Sequence, residues 1–497
     1  MQYKVYVSLL ISAAVFSGAS MAQTAAPAAL DAKAQAAAEK AAAKEEKARV
    51  RAEQARVRAL QRQYGLGPYP EETEAYLASK PEPLRPLYRA LYTGGERNAV
   101  LNFQRLGLAA MQAGEWKDAQ WAFDRALDRI ETVYANNPKA AAARSAFHNE
   151  ANKDFKGEPY ERAMAYYYRG LLYLRAEDYG NARASFKSAE YMDTLSETES
   201  FQSDFAVMNY LIGWTQQCEG QGSSAKESFD IAAKAQAGLS APPPNANVLF
   251  ISEIGNGPVK AQEGASSQKL VYKAGADYPE NGVMVQMIPG GKRAPAPTDI
   301  KLSEASSIYY QATTRGPRGN DANLQGKANL REGTSAVGSS LLTSGLASGD
   351  LTSMGVGAVF SLFSKTVKTK ADIRSWDGLP DRILIGTTSA PKASWTYKVK
   401  YLAGDTPTDL SGLDVATIGK KCSLVWSRSR TAQYGEAIYG EDVGVAASVK
   451  RQPAVQQKDK AFRLSLEDGP VKSTTVAETT DAKKPSQPIQ VNQPKVR

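Results

Sequence analysis

Three quartets of residues share one spacing. Gly107, Ala119, Phe123 and Ala126 stand at offsets 0, 12, 16 and 19. Gly170, Ala182, Phe186 and Ala189 repeat those offsets, as do Gly213, Ala225, Phe229 and Ala232. The last three members of each set lie on one helical face, since residues three and four apart are neighbours on a helix. A glycine twelve residues earlier belongs to a preceding helix, where the missing side chain lets two helices touch. The pattern therefore demands helical hairpins, with a small alanine opposite each glycine and phenylalanine and alanine one and two turns further on. Such units cannot bury their apolar faces alone and must stack.

This is the packing pattern of tetratricopeptide hairpins. The glycine-to-glycine spacings are 63 and 43 residues, against roughly 34 in regular arrays, so the repeats carry insertions, the longest over about 132–160. Stacked hairpins of this kind leave a concave groove lined by the first helix of each pair. Counting the packing glycine as position eight, the groove positions include Gln104, Met111 and Gln112 in the first hairpin. In the second they include Tyr167, Leu171 and Arg175, and in the third Tyr210, Trp214 and Gln217. Tyr, Trp and Arg are the residue types enriched in binding hot spots, so these nine are the candidate partner-binding residues. The competing expectation is that the chain's own β half or leading helix packs into the groove and covers it.

At 497 residues the chain has room for two or three domains. Its first 22 residues read as a signal peptide: Lys4, an apolar stretch from Val5 to Ala19, then Ser20-Met21-Ala22 before Gln23. That predicts export across the inner membrane and residence in the periplasm, at the inner face of the outer membrane. No cysteine directly follows the apolar stretch, so a lipid-modified new N-terminus is not expected. Cys218 and Cys422 are the two cysteines. In an oxidising compartment they can pair and staple the helical half to the β half; two buried thiols are the alternative. The net charge of +9 is spread along the chain rather than gathered in a footprint, which argues against nucleic acid as a partner.

The domain organisation follows composition. Residues 23–65 are Ala-, Lys- and Glu-rich with high helix propensity, a helical spacer with at most a weak coiled-coil seam. Residues 66–238 carry the repeats, and Ala241-Pro242-Pro243-Pro244 is a linker. From 245 to 430 the period changes to short β-branched and aromatic runs bounded by Gly, Pro or Asn. They are Val248–Ile251, Leu270–Tyr272, Val283–Ile288, Ile383–Ile385, Trp395–Tyr401 and Leu424–Trp426. Within this half, 333–364 is a Gly/Ser/Ala/Leu segment, read as helices packed on the sheet, with peripheral membrane contact as the alternative. Residues 431–497 are polar and nearly devoid of aromatics, which predicts a disordered tail. The expected fold is α+β: a tetratricopeptide-like α-hairpin array, then a small mixed β domain with a helical insertion, then the tail.

Reactive constellations are scarce. His148 is the single histidine, so a Ser-His-Asp or Cys-His arrangement has one candidate base, in the repeat insertion. Gly255-Asn256-Gly257 lacks the further glycine of a dinucleotide loop and reads as a turn after a strand. The densest polar cluster places Asp372, Asp377 and Asp381 among Arg374 and Arg382. Carboxylates so closely matched by guanidinium groups favour a structural turn with ion pairs, seated by Trp376 and Leu379. No catalytic residue, metal, cofactor or small-molecule substrate is expected.

Two stretches of the repeat half, Gly157-Glu158-Pro159-Tyr160-Glu161-Arg162-Ala163-Met164 and Tyr166–Leu174, resemble a family of uncharacterised secreted proteins and lipoproteins of Gram-negative bacteria. Ile254–Lys260 and Ala371–Trp376, ending in Leu379-Pro380, also resemble it, and the motifs occur in order over about 90–402. The resemblance implies tetratricopeptide-like repeats followed by a C-terminal β domain. It also implies association with a curli-secretion-channel-like lipoprotein of the outer membrane. The expectation is a non-enzymatic periplasmic interaction scaffold in an envelope or secretion complex, with other envelope proteins as partners, such as an outer-membrane channel or lipoprotein. The alternative is a protein that binds or acts on peptidoglycan through the β domain and the aspartate turn.

Overall fold

The computed structural model describes residues 71–135, 154–194, 204–263, 269–291, 295–314, 371–390, 395–430, 440–441 and 443–470, with positions 44, 48 and 51 before them. The signal-peptide reading, His148, segment 333–364 and residues 471–497 lie outside the described residues, as does all of 23–65 apart from those three helical positions. Residues 1–67 and 68–497 form two units. The second has a mixed α+β architecture and contains everything below.

Among the described residues from 71 onward, the α-helices that precede the strands are α1 (Glu71–Ala78), α2 (Arg85–Gly94), α3 (Ala99–Ala113), α4 (Trp116–Ala135), α5 (Pro159–Arg175), α6 (Tyr179–Thr194), α7 (Ala206–Cys218) and α8 (Gly222–Ala235). α3 packs on α4, α5 on α6 and α7 on α8, and the pairs stack through α4 on α5 and α6 on α7. In each pair the quartet's glycine faces its own phenylalanine. A Cβ placed on Gly107 would stand 2.8 Å from the Phe123 ring, on Gly170 2.4 Å from Phe186, and on Gly213 2.8 Å from Phe229. Ala119, Ala126, Ala182, Ala189, Ala225 and Ala232 are buried beside those rings. α3 closes on Gly114, whose φ of 74° no β-carbon-bearing residue adopts cheaply. α5 opens with Pro159 at its first turn and a reciprocal Glu158–Glu161 capping box.

The strands are β1 (Val248–Ile254), β2 (Val259–Glu263), β3 (Lys269–Lys273), β4 (Gly282–Pro289), β5 (Thr298–Lys301) and β6 (Ser303–Ser307). A short helix α9 (Ile308–Thr313) precedes β7 (Arg382–Thr388), β8 (Trp395–Ala403), β9 (Thr406–Pro407), β10 (Leu413–Thr417) and β11 (Ser423–Arg428). One sheet has the order β10-β11-β1-β7-β6, with β1 and β11 parallel and the other pairs antiparallel. A second has the order β5-β4-β8-β9, and β2-β3 is a separate hairpin. Every residue of β1 and β11 is buried, which requires cover on both faces. Leu249, Ile251, Leu424 and Trp426 share a core with the helices, while Val248, Phe250 and Val425 share one with Val283, Val285 and Tyr401 of the second sheet. The described chain is therefore layered helix, sheet, sheet. Gly255 takes φ 74° directly after β1, in the turn that the sequence places there.

The tail expectation needs correction for residues 440–470. They contain α10 (Val443–Lys450) and α11 (Pro453–Leu464), which return to the start of the helical array. Phe462 is buried edge-on against Phe103, 6.1 Å between centroids, and Leu466 is also buried. Asp459 accepts from the Glu96 backbone at 3.0 Å, and Asp468 pairs with Arg125. Two apolar anchors at helical spacing are enough to dock a helix whose composition is otherwise polar.

Candidate functional site

The groove is the site that the sequence singles out, and the structure fills it with the chain's own sheet. Gln104, Met111, Tyr167, Leu171, Tyr210 and Trp214 are all buried, at 3 % exposure or less. The Tyr167 hydroxyl donates to Glu253 on β1 at 3.2 Å. Met111, Leu171 and Arg175 face Val415, Thr417, Leu424 and Trp426 of β10 and β11 across a slot of about 20 Å³, room for little more than a water-sized group. Gln104 Nε2 donates to the Glu161 carbonyl at 3.3 Å. Gln217 Nε2 donates to the Pro243 and Ala246 carbonyls at 3.2 and 3.0 Å. Tyr210 packs edge-on against Phe229, and burial pushes its phenol up to about 12. Arg175 lies over the Trp116 ring, 3.9 Å from its centroid. Of the nine groove residues, only Gln112, Arg175 and Gln217 keep partial exposure. The reading of this groove as an open partner-binding surface is corrected: β10, β11 and β1 are its occupant. The reason is physical. Aromatic residues that suit a hot spot suit an internal interface equally well.

What joins the layers is a set of buried charges. Glu253 projects from β1 into the helices and is 1 % exposed. Its Oε1 accepts from Tyr167 and from the Trp426 indole at 2.8 Å, and its Oε2 accepts from the Tyr168 hydroxyl at 2.8 Å and pairs with Arg428 Nε at 3.0 Å. Glu161, fully buried on α5, accepts from Lys260 Nζ of β2 at 2.6 Å and from the Trp376 backbone at 2.8 Å. The same carboxylate caps its own helix, accepting from the Glu158 N–H at 2.7 Å. Isolated buried charges cost several kcal/mol each, so they persist only when closely paired and hydrogen-bonded.

The aspartate turn belongs to the same seam. Asp372 accepts from Arg374 through both oxygens, at 2.6 to 3.1 Å. Burial alone would raise Asp372, but the Arg374 guanidinium outweighs it and holds the carboxyl below its ordinary value. Arg374 also donates to the Asn98 side chain at 2.7 Å and to the Arg97 carbonyl at 3.2 Å. Asp377 pairs with Arg105 of α3 at 3.1 Å, yet burial still pushes its carboxyl up. Asp381 accepts from the Tyr278 hydroxyl. The three aspartates thus face three different partners and do not converge. Trp376 and Leu379 are buried, Trp376 against Phe123 and Tyr168 of the helices. Among the described residues no three His, Cys, Asp or Glu side chains gather as a metal-ligand set.

Cys218, the last residue of α7, is disulfide-bonded to Cys422, just before β11, with Cα atoms 5.9 Å apart. This settles the alternative between a staple and two thiols in favour of the staple.

Sequence reasoning missed Glu253, Glu161, Lys260 and Arg428. One signal was available: Glu253 interrupts the apolar run Val248-Leu249-Phe250-Ile251-Ser252-Glu253-Ile254, and a lone carboxylate in a fully buried strand implies a buried partner. No family model, curated protein or solved structure matches the chain. No helix among the described residues is long and apolar enough to cross a membrane.

Proposed function

We propose that the chain is a non-enzymatic scaffold of the cell envelope, exported across the inner membrane. Its helical half is a tetratricopeptide-like array, and its partners are other envelope proteins, such as an outer-membrane channel or lipoprotein. The repeated packing of a Phe ring onto each glycine, with room for no β-carbon between them, supports the array reading. The Cys218–Cys422 bond supports export, because disulfides persist in oxidising compartments. The observation that carries the scaffold reading is the use of the charged side chains. Glu161, Glu253 and Asp372 each close on a cation from another part of the fold or turn, so the ionic chemistry builds a rigid body. With the groove occupied, partners dock on outer surfaces, where Ile418 (62 %), Leu464 (58 %) and Tyr310 (44 %) are exposed large side chains.

The test is site-specific photo-cross-linking in intact cells, with the cross-linker at Ile418, Tyr310 or Leu464 and at Trp214 as the internal control. Protein adducts from at least one surface position and none from Trp214 are expected. Adducts from Trp214 would restore the open groove, and none from any surface position would count against the scaffold. Fractionation with thiol counting checks the address: a periplasmic chain without titratable thiols is expected, and a cytoplasmic one with two refutes export.

A further inference from the structure

A second concavity lies at one end of the two-sheet sandwich, beside the turn that carries Cys422. It holds about 180 Å³ and is walled by Val248, Ala390, Trp395 and Ile418, with Lys420 and Lys421 at its rim. An apolar cavity of roughly 150 Å³ accommodates a benzene ring, so this one has room for a single leucine- or phenyl-sized group. Hydrogen bonds tie two parts of its wall. The Asn247 side chain clasps Ala390, donating to its carbonyl at 2.9 Å and accepting from its N–H at 2.8 Å. Glu177 accepts from the Lys421 backbone at 2.9 Å and holds the lysine turn from behind. Among the described residues, neither the Lys420 nor the Lys421 ammonium group meets a carboxylate.

The strand that begins in this cavity has an open side. β8 pairs with β4 along Trp395–Leu402, but on its other edge it meets β9 only at Leu402 and Ala403. From Trp395 to Lys400 that edge has no strand partner among the described residues. Its solvated face carries Lys398 and Lys400, also without carboxylate partners among the described residues, while Tyr397 and Val399 turn inward to the sandwich core. An open strand edge with a basic flank, ending at a cavity whose apolar walls alternate with Asn247 and Ser423 and whose rim carries two ammonium groups, has a defined complement. That complement is an extended acidic chain with an apolar last residue and a free carboxylate.

We propose that this edge and cavity receive the carboxy-terminal residues of another polypeptide. The incoming chain adds as a strand beside β8. Its last side chain enters between Trp395, Val248 and Ile418, and its terminal carboxylate meets Lys420 and Lys421. The inference rests on the reading of the chain as an interaction protein and names one surface for it.

The probe is a fluorescein-labelled peptide Glu-Val-Glu-Val-Leu with a free carboxylate, measured by fluorescence anisotropy on the full chain at low salt. Saturable binding is expected, weakened about tenfold, or about 1.4 kcal/mol, when the peptide ends in a carboxamide, since the two ammonium groups then lose their counter-charge. Lys420→Gln with Lys421→Gln should weaken it by a similar factor, and Ile418→Asp should abolish it. All three positions are exposed, and unchanged melting confirms that the variants fold. Absence of saturable binding up to about 1 mM peptide, or equal binding of carboxylate and carboxamide, overturns the proposal. Cross-links from Tyr310 or Leu464 in cells without peptide binding would reject this surface while leaving the scaffold reading intact.

Discussion

Glu253→Gln is the sharpest test of how the helices and sheet are held together. The substitution keeps shape and removes one charge. The carboxylate has two oxygens, each facing a group that can only donate: the Trp426 indole N–H at Oε1 and the Arg428 guanidinium at Oε2. The tyrosine hydroxyls of Tyr167 and Tyr168 can rotate to accept, but the indole and guanidinium cannot. Glutamine offers one oxygen and one NH2, so either rotamer sets a donor against a donor in a site that is 1 % exposed. Arg428 also loses its counter-charge at 3.0 Å, an attraction of about 5–6 kcal/mol before desolvation at an effective dielectric near 20. Breaking such a buried pair costs about 3–5 kcal/mol net. The assay is guanidinium unfolding followed by near-ultraviolet circular dichroism, with the disulfide intact. A midpoint shift worth about 3–5 kcal/mol at unchanged slope is expected. Replacing both partners, Glu253→Leu with Arg428→Met, should cost less than Glu253→Gln alone, because an apolar pair leaves no stranded charge. A loss under about 1 kcal/mol for Glu253→Gln would show that the carboxylate is hydrated, and the seam would not be the closed interface described.

Gly170→Ala places a methyl 2.4 Å from the buried Phe186 ring and should destabilise by about 1–3 kcal/mol. Gly222→Ala, with nothing within 4 Å, should be neutral or stabilising; thermal melting of the two distinguishes packing from propensity. Cys218→Ser with Cys422→Ser opens a loop spanning 204 residues, and the loss of a native disulfide typically costs about 2–5 kcal/mol, read from melts with and without reductant. The acid limb of stability has named sources. Asp372 is held down by Arg374, and Glu280 is held down by Ser429 and Arg430 although burial alone would raise it. A carboxyl lowered in the folded state contributes stability that is fully present above its unfolded value, 3.8 for Asp372 and 4.5 for Glu280, and that is lost as pH falls through the folded one. Denaturant midpoints should therefore fall below about pH 4.5, and Glu280→Gln should be less stable at neutral pH with a flatter acid limb; an unchanged acid limb would refute the assignment.

Much of the architecture was legible because it is written in period. The quartets place all six helices of α3 to α8, since a glycine must sit where a phenylalanine ring arrives. The apolar runs mark β1, β3, β4, β7, β8 and β11 for the same kind of reason. β2, β5, β6, β9 and β10 were illegible. Val259–Glu263, Thr298–Lys301 and Ser303–Ser307 are polar and at most five residues long, and their pairing is decided by neighbours rather than by their own composition. The docking of α11 escaped for a related reason: Phe462 and Leu466 are two residues in a polar stretch, and composition averages them away. The aspartate turn was read as a turn with internal ion pairs, but Arg105 and Asn98 lie more than 270 residues away from their partners, a distance over which no spacing rule speaks. The same holds for the groove. Its residue types were legible, but whether a second chain or the same chain fills it depends on long-range topology.

The filled groove follows from the size of the array. Three hairpins are about the fewest that stack stably, and terminal repeats need capping. α3, α5 and α7 are buried nearly all round: Leu101 to Leu108 and Ala163 to Leu172 are buried without a break. A helix of that kind needs cover on both sides. The second helix of each hairpin covers one side and the sheet covers the other, which is why the sheet supplies Glu253, Trp426 and Leu424 to this face. Exposing the groove to a partner would therefore uncover the core of the array, at a cost no modest interface recovers. Specificity in this chain has to reside on surfaces that the core does not need. The outer edge of β8 and the Lys420–Lys421 turn meet that condition, because β1, β4, β7 and β11 hold the sandwich together without them.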